Sequence, residues 1–381
     1  MNRKRYIRLL LSLVGALLLA GCQNNSVEPV DGSQQPAAVE LLPMNTPFLE
    51  VHRMGSRADY ENLPSGYLPY NDLYPTTKPE HKTIGVFMTP EKTNSLGDFI
   101  YEEGNVWKST VRVNEGTQYY IYGFMPREDA DNAVISTLPG STSFADGAVL
   151  KILNYKALTP ADVCAVVGVR NATVAEKISG PQSPVNLGTF GYLGGPEGDN
   201  RIFILLKHLY AGIHFKGRIG SRYHKMRDIK IHRVELVAND ITEYVNLTVN
   251  LTANNTGTDP IGGVGDIIYE NAGDSHSTNT VELYNSQVGY MIPETDPEGF
   301  LGCYAPGSCT SFTVRTYYDV YDKAGNLVRE NCMAENLITN ALFGTLNAGD
   351  VITVDMLINP DYLYQLSEPD ADNPTIVLTI P

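Results

Sequence analysis

The sequence predicts an all-β protein built of β-sandwich domains. Many short segments alternate apolar and polar residues between turn-forming residues, a pattern that marks strands with one buried face. The chain has 23 tyrosines and a single tryptophan, and tyrosine favours the half-buried surface of a sheet. Helical periodicity is almost absent from the sequence. Together these observations favour sandwiches over helical or mixed folds.

The N-terminus has the features of an export signal that ends in a lipid-attachment site. Basic residues precede the apolar run Leu9–Leu19, which is shorter than the roughly 18 apolar residues needed to span a bilayer. The run leads into Leu-Ala-Gly-Cys, and small residues directly before a cysteine form a bacterial lipobox. We therefore expect residues 1–21 to be removed and Cys22 to be acylated, with palmitate among its acyl chains. The alternative is an ordinary signal peptide with a chance cysteine.

Charge limits the partners of the exported chain. The whole sequence has 43 acidic and 28 basic residues, a formal net charge of −15. Four of the basic residues lie in the signal, so the exported part is more acidic still. A field of this sign repels nucleic acid and anionic membrane surfaces, and we expect no nucleic-acid partner.

Residues 22–57 are predicted to be a lipidated propeptide or tether, because they are mostly polar and rich in turn formers. Two islands inside this segment, Ala37–Leu42 and Phe48–Val51, have strand-forming composition. Part of the tether is therefore expected to pair with the body of the protein. Residues 58–81 are rich in Tyr and Pro, which predicts an extended loop.

Residues 58–198 are predicted to form an N-terminal β-sandwich. Two strand-like segments, 107–113 and 119–125, flank an Asn-Glu-Gly turn and predict a hairpin. Thr159 followed by Pro160 is typical of a brief helical turn. Pro, Gly and Asn are concentrated in residues 181–200, which places the domain boundary there. Further short strands are predicted at 83–88, 148–153 and 163–169.

Residues 199–381 are predicted to form a C-terminal β-sandwich with a terminal strand. Apolar residues of one parity from Phe203 to Ile219 predict a long strand with one buried face. The apolar parity changes between Ile231 and Val234, which predicts a β-bulge near His232. Three more alternating segments predict strands: 312–321, which ends at a turn over 322–326, then 352–358 and 376–380.

Four cysteines follow the lipobox, and their redox state is left open by the sequence. They are Cys164, Cys303, Cys309 and Cys332. An even number in an exported chain permits disulfides, and Cys303 and Cys309 flank a short turn that would let them pair. Cys164 and Cys332 would form the second pair. Four free and buried thiols are equally consistent with the sequence.

The sequence contains no motif that predicts a cofactor or a metal. His208 and His214 share one parity, with His224 and His232 near them in sequence. Zinc needs three or four convergent ligands, and no tight spacing of histidine, cysteine and carboxylate is present, so these histidines are expected on a polar face. The acidic segment 368–372 lacks the Gly and Glu of a calcium loop. No cofactor and no metal site is therefore predicted.

Catalytic motifs are also missing. The Gly-rich segment 262–266 has no strand–helix frame of the kind that cradles phosphate, and no Gly-x-Ser-x-Gly elbow occurs in the sequence. We therefore predict that the protein is not an enzyme.

Several segments, taken together, are similar to one family of surface proteins. They are Asn347–Asp350, Pro360–Thr375, Leu205–Ala211, and Trp107 ahead of the 119–125 strand with Pro126. In these segments the chain resembles the fimbrillin family, the subunits of type V pili of anaerobic Gram-negative bacteria. The resemblance extends over most of the exported chain.

The resemblance implies two transthyretin-like β-sandwich domains after a lipidated N-terminal segment, with the precursor at the outer membrane. It also implies cleavage after an arginine, which removes the lipid and one strand, and a strand from the next subunit then fills the vacated groove. Arg53 and Arg57 are available here. The bond between Arg57 and Ala58 is closer to the processing point of the family.

The leading prediction is a structural subunit of surface fimbriae, exported as an outer-membrane lipoprotein and then moved into a cell-surface fimbrium that supports adhesion. Its expected partners are other fimbrial subunits, with a host or bacterial surface ligand left open. The alternative is a surface glycan-binding β-sandwich lipoprotein with tyrosine platforms. The last segment, 375–381, is either a strand donated between subunits or an ordinary sandwich strand.

Overall fold

The computed structural model describes residues 37–43, 83–89, 96–102, 106–171, 190–195, 200–252, 263–273, 279–293, 299–361 and 370–379. Within these ranges the chain is all-β, as predicted. The strands, in chain order, are β1 (Ala37–Pro43), β2 (Ile84–Thr89), β3 (Gly97–Glu102), β4 (Val106–Val113), β5 (Gln118–Met125), β6 (Asn132–Thr137), β7 (Gly147–Lys156), β8 (Cys164–Asn171), β9 (Gly191–Leu193), β10 (Arg201–His208), β11 (Ala211–Ile219), β12 (Arg227–Ala238), β13 (Tyr244–Thr252), β14 (Gly263–Ala272), β15 (Asn279–Met291), β16 (Gly299–Ala305), β17 (Ser311–Asp322), β18 (Leu327–Thr339), β19 (Val351–Asp361) and β20 (Asp370–Thr379). The helical turns in the same ranges are Arg127–Asp129, α1 (Ser221–His224) and α2 (Asn340–Phe343).

The first sheet has eight strands and closes on itself. Its order is β2-β3-β4-β1-β10-β8-β5-β9, and β2 also pairs with β5. One apolar core contains only residues of this sheet, among them Phe99, Trp107, Tyr119 and Ile202. The closed sheet therefore has an interior of its own.

The other three sheets have four strands each. Their orders are β14-β13-β7-β6, β16-β11-β19-β20 and β15-β12-β17-β18. A second apolar core contains residues of all four sheets. Examples, one from each sheet in the order given, are Phe124, Leu150, Phe215 and Val314.

Strands from both sides of the predicted domain boundary share sheets. β10 pairs with β8 in the first sheet, and β13 pairs with β7 in the second. The described strands all belong to one compact unit, Pro36–Pro381. The division into domains 58–198 and 199–381 stays a prediction.

Several predicted elements are confirmed. β17 alternates buried and partly exposed residues from Phe312 to Val320, and the turn that follows is fixed by the side chain of Asp322, which accepts a 2.8 Å hydrogen bond from the Asn326 N–H. The predicted bulge is present, because both pairings of β12 shift register between Ile231 and Arg233.

Three local predictions are wrong. β4 and β5 form no hairpin, since β4 pairs with β1 and β3 while β5 pairs with β2, β8 and β9. The long strand from Phe203 to Ile219 is two strands, β10 and β11, in different sheets. Thr159 begins no helix and instead forms an isolated bridge with Tyr304.

Candidate functional site

The candidate site is the place that β1 occupies in the first sheet. β1 runs antiparallel to β4 on one side and parallel to β10 on the other. β4 and β10 do not pair with each other within the described residues, so β1 joins them. We call the space between β4 and β10 the β1 groove.

One face of the groove is apolar. Leu41 lies opposite Trp107 of β4 and Ile202 of β10, and both neighbours are buried in the interior core. Residues directly opposite each other in adjacent strands share a face of the sheet. The interior of the closed sheet therefore selects an apolar residue at this position of the occupying strand.

The next register position is occupied by charged residue types. Glu40 of β1 pairs in register with Lys108 of β4 and Arg201 of β10. Opposite charges across strands stabilise a pairing, and like charges destabilise it. The groove therefore favours a strand with an apolar residue on one face and an acidic or neutral residue beside it.

The chemistry that this site supports is strand addition. A strand between two others forms main-chain hydrogen bonds on both sides, while alternate side chains give specificity. Without its central strand, such a groove exposes unpaired N–H and C=O groups on two edges, which is a template for another chain.

The C-terminal strand β20 lies at the edge of the third sheet, antiparallel to β19. Its register places Pro374 opposite Pro360, and neither proline has an N–H to donate. Asp370 lies opposite Asp361, a pair of like charges. The register also shifts between Pro360 and Asp361, so the pairing of the first half of β20 is irregular.

The predicted processing and lipidation residues lie outside the described residues. This applies to Cys22, Arg53, Arg57 and Ala58. Their roles stay predictions.

The prediction that His208 and His214 lie on a polar face is wrong. Both are buried. Burial, followed by the nearby charge of Lys216, lowers the pKa of His214 from 6.5 to about 4. His232 is partly exposed, and its Nε2 lies 2.8 Å from Oδ2 of Asp319.

The four cysteines of the described body are buried, and no two of them form a disulfide. Burial raises the pKa of the Cys303 and Cys309 thiols well above the ordinary value. Thiols of this kind are unreactive packing residues. The structure thus corresponds to the free-thiol alternative of the two that the sequence left open.

Several tyrosines of the described residues help to build the cores. Seven of them are among the largest fully buried side chains: Tyr119, Tyr122, Tyr155, Tyr192, Tyr210, Tyr223 and Tyr304. Buried rings do not form a platform for sugars, so these seven do not supply the platform of the glycan-binding alternative, which stays a prediction.

One group of polar side chains was missed by the sequence analysis. Asp162, Cys164 and His208 converge between β8 and β10, where all three are buried. The spacing of these three residues along the chain does not indicate a binding site. Only the pairing of β8 with β10 brings the histidine to the other two.

None of the helices in the described ranges combines the length and apolar character needed to cross a bilayer.

Comparison with known proteins gives structural neighbours only. No protein-family model matches the chain, and neither does any curated protein. Among solved structures, a fimbrial protein from Bacteroides vulgatus is 8% identical, with coverage of 90% of this chain and 98% of that one and a TM-score of 0.32. The fimbrial anchor protein Mfa2 from Porphyromonas gingivalis is 11% identical, with 91% and 97% covered and a TM-score of 0.27.

A candidate cell adhesion protein from Bacteroides uniformis is also 11% identical, with 91% and 98% covered and a TM-score of 0.35. The chain is similar to fimbrial and adhesion proteins. TM-scores of this size do not establish a shared fold, so the all-β fold and the β1 groove rest on the strand pairings of the chain itself.

Proposed function

We propose that this chain is the precursor of a structural subunit of surface fimbriae. In this proposal the precursor is exported, anchored to the outer membrane through Cys22, cleaved between Arg57 and Ala58 and polymerised by strand addition. The observation that carries the proposal is the position of β1. A strand that precedes the predicted cleavage point lies between two strands that follow it.

Cleavage after Arg57 separates β1 and its lipid from the rest of the chain. The edges of β4 and β10 then lack partners until another strand enters the β1 groove. Each main-chain hydrogen bond contributes about 0.5–1.5 kcal/mol net, and burial of one Leu-sized side chain contributes about 1.5–3 kcal/mol. A donated strand with the right alternation therefore gains enough free energy to be selected over a random segment.

The C-terminal strand β20 is the donor that we favour. Its register with β19 places Ile376 and Leu378 opposite the buried residues Ile358 and Met356, so it alternates as a groove strand must. The irregular register at Pro360 and Asp361 and the missing N–H groups of the two paired prolines should make its first half easier to detach. An ordinary edge strand is the alternative role.

The subunit needs no active site for this function. The expected partners are further subunits of the same fimbria at the cell surface.

The single tryptophan gives a direct test of the groove. Trp107 lies opposite Leu41 of β1 and is 2% exposed. Cleavage after Arg57 and removal of the released segment should expose the indole, which shifts its emission to longer wavelength and admits a soluble quencher. A peptide of residues 370–381 should reverse both changes.

Arg57→Gln is the matched variant, because it blocks the cleavage and leaves β1 in place; Arg53→Gln controls for the loss of a neighbouring arginine. If mass spectrometry shows that the β1 segment has left while Trp107 stays shielded, the groove does not exist. A native fimbrial subunit that begins at Cys22 instead of Ala58 would assign the chain to the anchor position.

Two further variants test lipidation and the donor strand. Cys22→Ala should yield a periplasmic protein that no longer incorporates labelled palmitate, and continued labelling contradicts lipidation at this residue. Deletion of residues 375–381 should leave folded monomers that do not polymerise. Normal polymers from the truncated chain rule out β20 as donor, and an unfolded product supports the ordinary edge-strand role.

A further inference from the structure

The cluster of Asp162, Cys164 and His208 is held by the backbone of two paired strands. Cys164 begins β8 and His208 ends β10, and the two residues are direct partners in the antiparallel register. Asp162 precedes Cys164 by two residues. A main-chain hydrogen bond of 2.6 Å from the Leu209 N–H to the Val163 carbonyl continues the pairing past the end of β10.

The side chains of this cluster converge on one point. Oδ2 of Asp162 lies 2.6 Å from Nδ1 of His208, and Sγ of Cys164 lies 3.7 Å from the same nitrogen. One donor atom from each of the three residues lies within 4.8 Å of the other two. Asp162 and Cys164 are 0% exposed and His208 is 2% exposed.

The charge of Asp162 needs compensation at this depth. Its Oδ1 accepts no hydrogen bond from the part of the chain that the structure describes. A buried ionised carboxylate is costly unless it is paired or bound to a metal. The contact with His208 involves Oδ2 and leaves Oδ1 without a hydrogen bond from the described residues.

We propose that Asp162, Cys164 and His208 bind a divalent transition-metal ion with the coordination preferences of zinc. One carboxylate, one thiolate and one neutral imidazole balance the charge of a divalent ion, so the occupied cluster is neutral inside the apolar core. The donor set of oxygen, sulfur and nitrogen is one that zinc accepts. This site goes beyond the proposed fimbrial function.

The geometry is close to that of a tetrahedral site. Zinc bonds of about 2.3 Å to sulfur and about 2.0–2.1 Å to nitrogen and oxygen place sulfur about 3.6 Å and oxygen about 3.3 Å from the nitrogen. The sulfur already lies 3.7 Å from Nδ1. The carboxylate oxygen must move away from its present 2.6 Å contact by about 0.7 Å, so the direct ion pair is the metal-free form.

Metal binding replaces the proton of the Cys164 thiol. The S–H bond breaks, the proton leaves to solvent and a sulfur–metal bond forms, while the carboxylate of Asp162 and the neutral Nδ1 of His208 donate lone pairs. A water molecule completes four-coordination. The ion then ties β8 to β10, the strand that forms one wall of the β1 groove.

Cobalt(II) is the probe for this site, because it occupies zinc sites and a thiolate ligand gives it a charge-transfer absorption band. The full chain, with Cys22→Ala to remove the lipid, is unfolded with chelator and refolded with Co²⁺ or Zn²⁺. We expect one metal ion per chain, a thiolate-to-cobalt band, displacement of cobalt by zinc and a higher melting temperature with Zn²⁺ than with Mg²⁺.

Cys164→Ser should abolish the band. His208→Gln and Asp162→Asn each remove a ligand and should weaken metal binding at least ~10-fold, since loss of a residue that only supports a ligand already has an effect of that size. Cys332→Ser is the matched control, a buried thiol outside the cluster, and should retain the band. A wild-type chain that refolds without bound metal or without the band overturns the proposal, even if the variants fail to fold. A band that persists in Cys164→Ser overturns it as well.

Discussion

Burial of His214 predicts a loss of stability in mild acid. The residue lies in β11, between Gly302 of β16 and Thr353 of β19 in the register, and it is 4% exposed. Its pKa is lowered from 6.5 to about 4, first by burial and then by the charge of Lys216. The unfolded chain therefore binds a proton at His214 at a pH where the folded chain does not.

The sign follows from proton linkage. Above pH 6.5 neither state is protonated at His214, and the histidine has no effect on the pH dependence. Between pH 6.5 and about 4 only the unfolded state gains the proton, so folding stability falls as the pH falls. At about 1.4 kcal/mol per pH unit the full loss is about 3 kcal/mol, of which about 2 kcal/mol is reached at pH 5.

Urea unfolding at pH 7.5 and pH 5.0 measures this effect. The drop in the free energy of unfolding between the two pH values should be about 2 kcal/mol smaller in His214→Gln than in the wild type. Equal drops in the wild type and His214→Gln would refute the reasoning, whatever the stability of the variant at pH 7.5.

Two further predictions concern the body of the fold. Gly147 has a φ of +136°, and a Cβ at this position would lie 2.0 Å from the Leu251 carbonyl oxygen. Gly147→Ala should therefore lower the melting temperature far more than the control Gly140→Ala, where a Cβ meets nothing within 4 Å. Similar melting temperatures of the two variants would contradict the close approach. Tyr155 donates a buried hydrogen bond of 2.9 Å to the Pro126 carbonyl. Tyr155→Phe should cost about 1–3 kcal/mol in urea unfolding, because it leaves that carbonyl without this donor, and a cost near zero would show that the carbonyl finds another partner.

Strands that bury only one face could be predicted from sequence, because apolar and polar residues alternate along them. β17 and β19 each pack one face, so their alternation marked both their position and their buried side. β10 and β11 could not be separated, because Leu209 and Tyr210 at their junction are both buried and the apolar pattern has no gap. The chain passes there from one core to another without any turn signal.

Pairing partners were harder to predict than strands. The Asn-Glu-Gly turn predicts a hairpin of β4 and β5, but β1 and β3 occupy both edges of β4. The segment Ala37–Leu42 was expected to be strand-forming, yet its composition says nothing of its neighbours. The same limit hid the metal cluster, since only the register of β8 with β10 connects His208 to Cys164.

The register of Leu41 with Ile202 also sets the order in which the first sheet folds. Contacts between residues so distant along the chain carry a large loop-closure cost and form late. Under the proposed function, we therefore expect a stage of folding in which β4 and β10 are present and the strand between them has yet to dock. At that stage a β1 that is still joined to the chain should outcompete strands of neighbouring molecules through its high effective concentration. If the chain is cleaved after Arg57 as proposed, the N-terminal segment acts until then as an intramolecular chaperone, and cleavage ends this advantage.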